Sequence, residues 1–186
     1  MSLKLKIIIG STRPGRVGPV VGDWVHDVTL LVKGFETQVL DLATFQLPLL
    51  DEPAHPAMQQ YQHEHTRRWS ASVADGDAFI FVVPEYDFFP SAAVINAIQA
   101  LYREWERKPA GIVSYGGVSG GLRSAQVLRS LIGNVNAHAL PHVVPIPFVN
   151  QFIQDGRFEA NDQMLKGIGV MLEELKVWAK ALKVVR

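Results

Sequence analysis

The chain has 186 residues, with 18 Lys and Arg balanced by 18 Asp and Glu, and it contains no cysteine. A formal charge of zero excludes the basic field of a nucleic-acid-binding or membrane-surface protein and argues against a strongly acidic electron carrier. The lack of cysteine excludes disulfides, thiolate catalysis and cysteine-ligated metal centres. The length fits one domain, residues 1–186, and the chain shows no apolar run of about 18 residues and no signal-peptide pattern. We therefore expect a cytoplasmic protein that neither enters a membrane nor binds nucleic acid.

Hydrophobic periodicity predicts five strands, each followed by a helix. Residues 5–9 form a β-branched run closed by a glycine, and apolar residues at helical spacing follow until Gly34. Residues 35–40 and the continuous apolar run 78–83 predict the next two strands, separated by a polar helix that ends near Ala74 and followed by a helix over residues 91–107. Residues 110–115 predict the fourth strand, before a helix with one apolar face. A short edge strand near residues 142–146 lies among three prolines, and the last helix carries an apolar stripe from Leu165 to Leu182.

The alternation of strands and helices predicts the class of the fold. Five rounds of strand and helix imply an α/β protein with a parallel, doubly wound sheet and right-handed crossovers. Five strands suit the order 2-1-3-4-5 better than the six-stranded dinucleotide-binding fold. In such sheets ligands bind beyond the carboxyl ends of the strands, and this rule selects three loops, at residues 10–18, 84–90 and 115–121.

The first of these loops has the composition of an anion site. It holds the hydroxyls of Ser11 and Thr12, the cations Arg13 and Arg16, and glycines at positions 10, 15 and 18. Glycines let the backbone approach an anion, and the following helix offers free N–H groups and the positive end of its dipole. The glycine spacing matches neither the Walker pattern nor G-x-G-x-x-G. The loop's position after the first strand favours a phosphate site, and the alternative is a Gly/Pro turn with a capping serine.

The other two loops suit a planar ring. Residues 84–90 place three aromatic residues between two prolines, which is typical of an apolar wall for a ring or of a subunit contact; packing within the loop is the alternative for Phe88 and Phe89. Residues 115–121 contain four glycines, a composition that favours close approach of a ligand to the main chain. No nucleophile or acid–base pair is obvious. These loops therefore fit a cofactor that carries out its own chemistry.

Two further clusters have simpler interpretations. His63, Glu64 and His65 are not expected to bind a metal, because residues i and i+2 of a helix lie on different faces. The charged residues between positions 103 and 108, among them Glu104 and Lys108, are expected to form a solvated helix end with local ion pairs.

Several motifs together resemble the NADPH-dependent FMN reductase family. They are Gly10, Ser11, Thr12, Arg13, Arg16 and Gly18; Pro84, Glu85 and Tyr86; Asn96 and Ala97; Lys108 and Pro109; and Ser114, Tyr115, Gly116, Gly117, Ser119, Gly120, Gly121, Leu122 and Arg123. The resemblance covers nearly the whole chain and implies a flavodoxin-like three-layer sandwich with non-covalently bound FMN. It also implies hydride transfer from NAD(P)H to a small electron acceptor, such as a flavin or a quinone, and a homodimer or homotetramer.

The resemblance also implies which residues bind the cofactor. Those expected to hold the FMN phosphate are Ser11, Arg13, Arg16, Val17 and Gly18, and those expected around the isoalloxazine ring are Pro84, Glu85, Tyr86 and Asp87, mostly through main-chain groups, with Ser114, Tyr115, Gly116 and Gly117. No catalytic side chain is expected, because FMN carries the chemistry.

The sequence departs from the family pattern in two places. Asp87 stands where asparagine is usual, and a carboxylate there is expected to disfavour the anionic reduced flavin. Val94 and Ile95 stand where leucine and lysine are usual, which removes a cation from the expected dimer contact.

The expected function is therefore a ping-pong NAD(P)H-dependent reductase. One alternative is a flavin-binding redox carrier or redox-responsive interaction module without reductase turnover. Another is a domain of the same fold that binds a different phosphate ligand.

Overall fold

A five-stranded parallel sheet forms the centre of the protein in a computed structural model that describes residues 2–186. Its strands are β1 (Leu3–Ile9), β2 (Phe35–Asp41), β3 (Ala78–Pro84), β4 (Pro109–Tyr115) and β5 (His138–Ile146). The helices are α1 (Gly18–Leu30), α2 (Leu42–Phe45), α3 (Glu64–Ala74), α4 (Ala92–Gln99), α5 (Leu122–Asn134) and α6 (Asp162–Lys183), and a small hairpin of β6 (Ile153–Gln154) and β7 (Arg157–Phe158) precedes α6. The sheet order is β2-β1-β3-β4-β5, so the predicted class and strand order are confirmed.

Two hydrophobic cores cover the two faces of the sheet. Every residue of β3 is buried, as its continuous apolar run predicts, and successive side chains enter opposite cores. Ile80 and Val82 belong to the core that includes residues of α1 and α6. Phe79 and Phe81 belong to the core that includes residues of α3, α4 and α5. The result is a three-layer sandwich that leaves the carboxyl ends of the strands at one open edge. None of the helices within residues 2–186 is long and apolar enough to cross a membrane.

The helix expected over residues 91–107 is wrong in length, because α4 ends at Gln99. Beyond it the chain turns so that Leu101 and Trp105 are both buried. The indole N–H of Trp105 donates to the carbonyl oxygen of Ile98 at 3.1 Å, and its ring lies edge-on to Phe79 with centroids 4.9 Å apart. The chain therefore leaves the helical path after Gln99, and the large aromatic ring of Trp105 is buried as a result.

The solvated helix end expected around Glu104 and Lys108 is also wrong. Glu104 is buried and accepts hydrogen bonds from the hydroxyls of Tyr61 at 3.0 Å and Ser70 at 2.6 Å, which anchors the preceding loop to α3. The buried ammonium of Lys108 donates to two main-chain oxygens at the C-terminal end of α3. Burial lowers the pKa of Lys108 to about 8. Both charges thus serve tertiary contacts that local spacing does not reveal.

Two smaller expectations also change. The edge position of β5 agrees with its prolines, but the strand begins earlier than expected, at His138. Its pairing with β4 is irregular between Ala110 and Ile112, opposite Pro141. His63 precedes α3 in an extended conformation, so its ring stacks on that of His65, with centroids 5.2 Å apart, instead of lying on another face.

Candidate functional site

A cleft of 440 Å³ lies at the carboxyl ends of the sheet strands, where ligands of such sheets bind. Eight of the thirteen predicted site residues line it: Arg13, Val17, Pro84, Glu85, Tyr86, Tyr115, Gly116 and Gly117. The other five are not part of its lining: Ser11, Arg16, Gly18, Asp87 and Ser114. The three loops selected from the sequence therefore meet at one cleft, but each places some residues beside it instead of in it.

The N-terminus of α1 is open at one end of this cleft. Its N-cap residue, Val17, makes no side-chain hydrogen bond to the helix, and the first turn contains no acidic residue. Arg13 is exposed nearby, with its guanidinium carbon 5.4 Å from the ring centre of Tyr86, and it takes part in no ion pair among residues 2–186. Unused N–H groups, the positive end of the helix dipole and an unpaired cation together form an anion site.

Two buried hydroxyls lie behind this N-terminus without a hydrogen-bond partner in residues 2–186, the Oγ of Ser11 and the Oη of Tyr115. Gly18 leaves the space between them open, since a Cβ there would lie 2.2 Å from the Ser11 oxygen and 2.9 Å from the Tyr115 oxygen. Burial raises the pKa of Tyr115 and the neighbouring Ser11 hydroxyl offsets this only in part, so the Tyr115 hydroxyl stays protonated and able to donate. A buried hydroxyl without a partner costs about 1–3 kcal/mol. Two of them together behind an open helix N-terminus support a site for a polar ligand group there.

Arg16 has a different environment from the one expected. Its guanidinium donates to both carboxylate oxygens of Asp41, at 2.7 and 2.6 Å, and to the main-chain oxygen of Ser11 at 2.7 Å. Asp41 also accepts from the main-chain N–H of Ala43 at the start of α2. The charge of Arg16 is thus balanced within the protein, and its contacts tie the first loop to β2. Direct phosphate binding by Arg16 stays a prediction, and Arg13 is the cation available to an anion.

The second loop is a tight two-residue hairpin. Tyr86 and Phe89 exchange two main-chain hydrogen bonds of 2.9 Å, and the residues between them, Asp87 and Phe88, have φ of 48° and 74°. This is the pattern of a type I′ turn, in which glycine usually occupies the second central position. Phe88 and Phe89 are 59% and 56% exposed, so hydrophobic packing within the loop does not account for them. Asp87 lies exposed at the tip of the hairpin.

The carboxylate of Glu85 joins the second loop to the third. It accepts hydrogen bonds from the Ser119 hydroxyl at 2.9 Å and from the Nε and main-chain N–H of Arg123 at 2.7 and 3.1 Å. Burial alone would raise the pKa of Glu85, but these hydrogen bonds hold it below its ordinary value of 4.5. Its main-chain N–H is also in use, since it donates to the Tyr115 oxygen at 2.9 Å. Glu85 therefore fixes the shape of the cleft through its side chain, which the sequence did not indicate.

The third loop is held by internal hydrogen bonds. The buried hydroxyl of Ser114 donates to the main-chain oxygen of Gly120 at 2.8 Å. Gly121 has φ of 80°, and a Cβ there would lie 2.7 Å from the Tyr115 main-chain nitrogen, so glycine is needed at this position. Ser114 thus supports the loop from behind, and Gly116 and Gly117 face the cleft.

A fourth segment, residues 148–151, completes the cleft and was missed in the sequence. The N–H of Phe148 donates to the Gly117 oxygen at 3.0 Å, which joins the end of β5 to the third loop. Phe148 is half-exposed, and Asn150 and Gln151 are exposed. The signal was the rule already applied to the other strands, because the carboxyl end of β5 reaches the same edge of the sheet.

These features define a flavodoxin-like α/β protein whose cleft has an anion site at the N-terminus of α1 and a lining that includes glycine, proline and aromatic residues. Such a cleft suits a ligand with a phosphate and a planar ring.

Comparisons with known proteins give the family. The model of the NADPH-dependent FMN reductase family matches residues 3–151. An NAD(P)H-dependent FMN reductase of Nectria sp, ntnL, is 38% identical over 97% of this chain and 89% of its own length. An NAD(P)H-dependent FMN reductase of Schizosaccharomyces pombe, C4B3.06c, is 33% identical over 89% of this chain and 84% of its own length. The chain belongs to the NADPH-dependent FMN reductase family, and it is an oxidoreductase with FMN as cofactor and NAD(P)H as electron donor.

A solved structure agrees with the fold. FerB of Paracoccus denitrificans, described as a flavoenzyme NAD(P)H:(acceptor) oxidoreductase, superposes with a TM-score of 0.76. The match covers 96% of this chain and 98% of that one at 17% sequence identity, so it bears on the fold alone. The non-enzymatic carrier and the domain for another phosphate ligand, both open from the residues, are not supported by these comparisons.

Proposed function

We propose that FMN binds in the cleft at the carboxyl ends of the strands and that NAD(P)H and a small electron acceptor use the open side of this cleft in turn. The observation that carries the proposal is the pair of buried, unpartnered hydroxyls of Ser11 and Tyr115 behind the open N-terminus of α1. Buried polar groups are nearly always hydrogen-bonded to protein, ordered water or a ligand, so two such hydroxyls together behind one open helix N-terminus support an anion at this place.

The phosphate end of the cleft accounts for the first loop. The Ser11 hydroxyl and the main-chain N–H groups of the first turn of α1, in which Pro19 has none, would donate to the phosphate, and Arg13 would supply a positive charge from the solvent side. Gly18 is required at this end because any side chain would displace the Ser11 hydroxyl. Arg16 acts through the loop it holds, by way of its bidentate pair with Asp41.

The ring end of the cleft accounts for the other loops. Pro84 and Tyr86 of the second loop and Gly116 and Gly117 of the third line the cleft together, and the planar ring would lie between these loops. When bound, FMN would supply the redox chemistry between the nicotinamide and the acceptor. The protein therefore contributes binding, orientation and a fixed electrostatic environment, and no side chain is required to transfer a proton.

The proposed order of binding rests on the use of one open side of the cleft by both substrates. Both the nicotinamide and the acceptor approach the same flat surface, so one leaves before the other binds, which is a ping-pong cycle. Flavins and quinones are the proposed acceptors, because they are planar and can stack between exposed aromatic rings such as that of Phe148. A relative from Arabidopsis thaliana at 27% identity is named an NADPH:quinone oxidoreductase, which agrees with this class of acceptor.

Steady-state kinetics test the order directly. With NADPH and a quinone varied together, the proposal predicts parallel lines in double-reciprocal plots, and anaerobic NADPH oxidation without acceptor stops at one equivalent of bound FMN. Intersecting lines would contradict the shared surface.

A homodimer or homotetramer is the remaining part of the proposal. Phe88 and Phe89 are exposed on the hairpin next to the cleft, which supports a subunit contact there. Sedimentation equilibrium tests this, and a monomer at micromolar concentration would contradict it. Cytoplasmic localisation stays a prediction.

A further inference from the structure

The carboxylate of Glu85 and the guanidinium of Arg123 form an ion pair in the wall of the cleft, a pair that hydride transfer does not require as acid or base. Two nitrogens of the guanidinium contact the same carboxylate oxygen, and the other oxygen accepts the main-chain N–H groups of Arg123 and Ser124 at 3.1 and 3.4 Å. The first turn of α5 is therefore capped by a side chain from another loop, whereas the first turn of α1 is left open. The N-terminus of α5 is therefore already bound by the protein's own carboxylate, whereas the N-terminus of α1 is available to a ligand.

The same guanidinium also contacts the hairpin. Its central carbon lies 3.6 Å from the ring centre of Phe88, the distance of a close cation–π contact. Phe88 has φ of 74°, a conformation that is unfavourable for a bulky side chain. The contact with Arg123 helps to hold this turn, so one guanidinium supports Glu85 and the hairpin together.

The two charges of the pair are unequally screened. The side chain of Glu85 is 6% exposed and lines the cleft, whereas that of Arg123 is 41% exposed. A charge taken out of water acts more strongly on its neighbours than a solvated one. The Glu85 carboxylate would therefore dominate the electrostatics of this wall if Arg123 did not balance it.

We propose that Glu85 and Arg123 are positioning residues whose balanced charges set the reduction potential of the cofactor in this cleft. The inference rests on the proposed function, because it places FMN beside this wall. Reduction adds negative charge to the ring, so charges near it tune the potential. Without Arg123, the unbalanced carboxylate disfavours the reduced form and lowers the potential. Without the charge of Glu85, the remaining guanidinium favours the reduced form and raises it.

The test is a set of reduction potentials for the FMN-loaded protein, measured anaerobically with a reference dye above neutral pH, where the Glu85 carboxylate is ionised. Glu85→Gln is expected to raise the potential and Arg123→Met to lower it. Each shift is expected to change the ratio of reduced to oxidised flavin about tenfold, which is about 30 mV for a two-electron couple. The double variant is expected to return within about threefold of the wild-type ratio. A merely structural role would shift both single variants in one direction.

A second ion pair provides the matched control. On α6, far from the cleft lining, Lys176 lies 2.8 Å from Glu173 and 5.8 Å from the ring centre of Phe35. Glu173→Gln and Lys176→Met therefore remove the same kinds of contact and are expected to leave the potential unchanged. Arg123→Lys keeps the charge but loses the forked geometry, so it is expected to leave the potential unchanged and to weaken FMN binding at least about threefold.

The outcomes separate this inference from the proposed function. A wild-type protein that does not bind FMN would overturn both. A wild-type protein that binds FMN, with single variants that shift the potential in one direction or not at all, would overturn only the role of the pair. If Arg123→Met does not fold, a raised potential in Glu85→Gln with an unchanged one in Arg123→Lys supports the inference, and any other combination overturns it.

Discussion

Replacing Ser11 with alanine is expected to stabilise the FMN-free protein while weakening its affinity for FMN. The Ser11 side chain is fully buried, and its hydroxyl has no partner among the residues 2–186 that the structure describes. In the FMN-free protein this oxygen has lost its water and gained nothing in return. The same oxygen is a proposed donor to the FMN phosphate, so one substitution separates stability from binding.

The magnitudes follow from the hydrogen bonds involved. A buried unsatisfied hydroxyl costs about 1–3 kcal/mol, so we expect Ser11→Ala to raise the free energy of unfolding of the FMN-free protein by about 1 kcal/mol. A hydrogen bond to a charged group contributes about 1.5–3 kcal/mol, so the FMN dissociation constant is expected to rise roughly 10-fold to 150-fold.

Ser114→Ala is the matched control. Ser114 is also fully buried and also lies at the carboxyl end of a strand, but its hydroxyl donates to the Gly120 oxygen at 2.8 Å. Its removal takes away one hydrogen bond and leaves the Gly120 oxygen with the N–H of Ile146 at 3.3 Å, so it is expected to lower the free energy of unfolding by about 0.5–1.5 kcal/mol. Urea unfolding of the FMN-free proteins measures the stabilities, and quenching of FMN fluorescence measures the affinities.

Equal destabilisation by Ser11→Ala and Ser114→Ala would refute the reasoning, since it would mean that the Ser11 hydroxyl already has a partner in the FMN-free protein. An unchanged FMN affinity in Ser11→Ala would show that the first loop is a turn and does not bind the phosphate.

Three further predictions follow from the same geometry. Arg13→Ala is expected to weaken FMN binding by about 1.5–3 kcal/mol and to change the free energy of unfolding by less than about 0.5 kcal/mol, because Arg13 is exposed and unpaired; calorimetric titration with FMN checks the first value and urea unfolding the second. Gly18→Ala is expected to weaken FMN binding at least about tenfold by displacing the Ser11 hydroxyl, and a Gly18→Ala protein that binds FMN normally would contradict the proposed anion site. As a control, Gly169→Ala, in the interior of α6 with open space around it, is expected to stabilise the fold by about 0.5–1 kcal/mol. The folded chain holds the Lys108 proton less tightly than the unfolded chain, with a pKa of about 8 against 10.5, so the free energy of unfolding is expected to rise between these pH values by an amount that Lys108→Met removes; parallel pH profiles for the two proteins would be the contrary result.

The sequence predicted the presence and order of all five strands, and it predicted the bounds of β3 best because that strand is one continuous apolar run, whereas β5 begins four residues earlier than expected. The buried run of β3 fixed the centre of the sheet, and the strand–helix alternation then left few possible topologies. The length of α4 could not be predicted, because Trp105 is buried by contacts with Phe79 and Ile98. The spacing of apolar residues along the chain does not reveal such contacts. The burial of Glu104 also depends on Tyr61 and a loop more than forty residues earlier in the chain.

The place of the site could also be predicted from the sequence, but the contacts of two of its residues could not. Glycines, prolines and arginines in the loops after β1, β3 and β4 were sufficient to predict where the cleft lies, because topology places strand ends together. Whether Arg16 faces a ligand or a carboxylate could not be predicted, because Asp41 is brought beside it only by the pairing of β1 and β2. The role of Glu85 depends in the same way on Arg123, at the start of a helix from another loop.

The most direct test of the account is the visible absorption spectrum of the FMN-loaded protein, recorded anaerobically before and after NADPH is added and again after a quinone is added. We expect the protein to take up FMN, the absorption of the oxidised flavin to be lost with NADPH, and the same absorption to return with the quinone. A protein that takes up no FMN, or one whose bound flavin stays oxidised with both NADPH and NADH, would contradict the account.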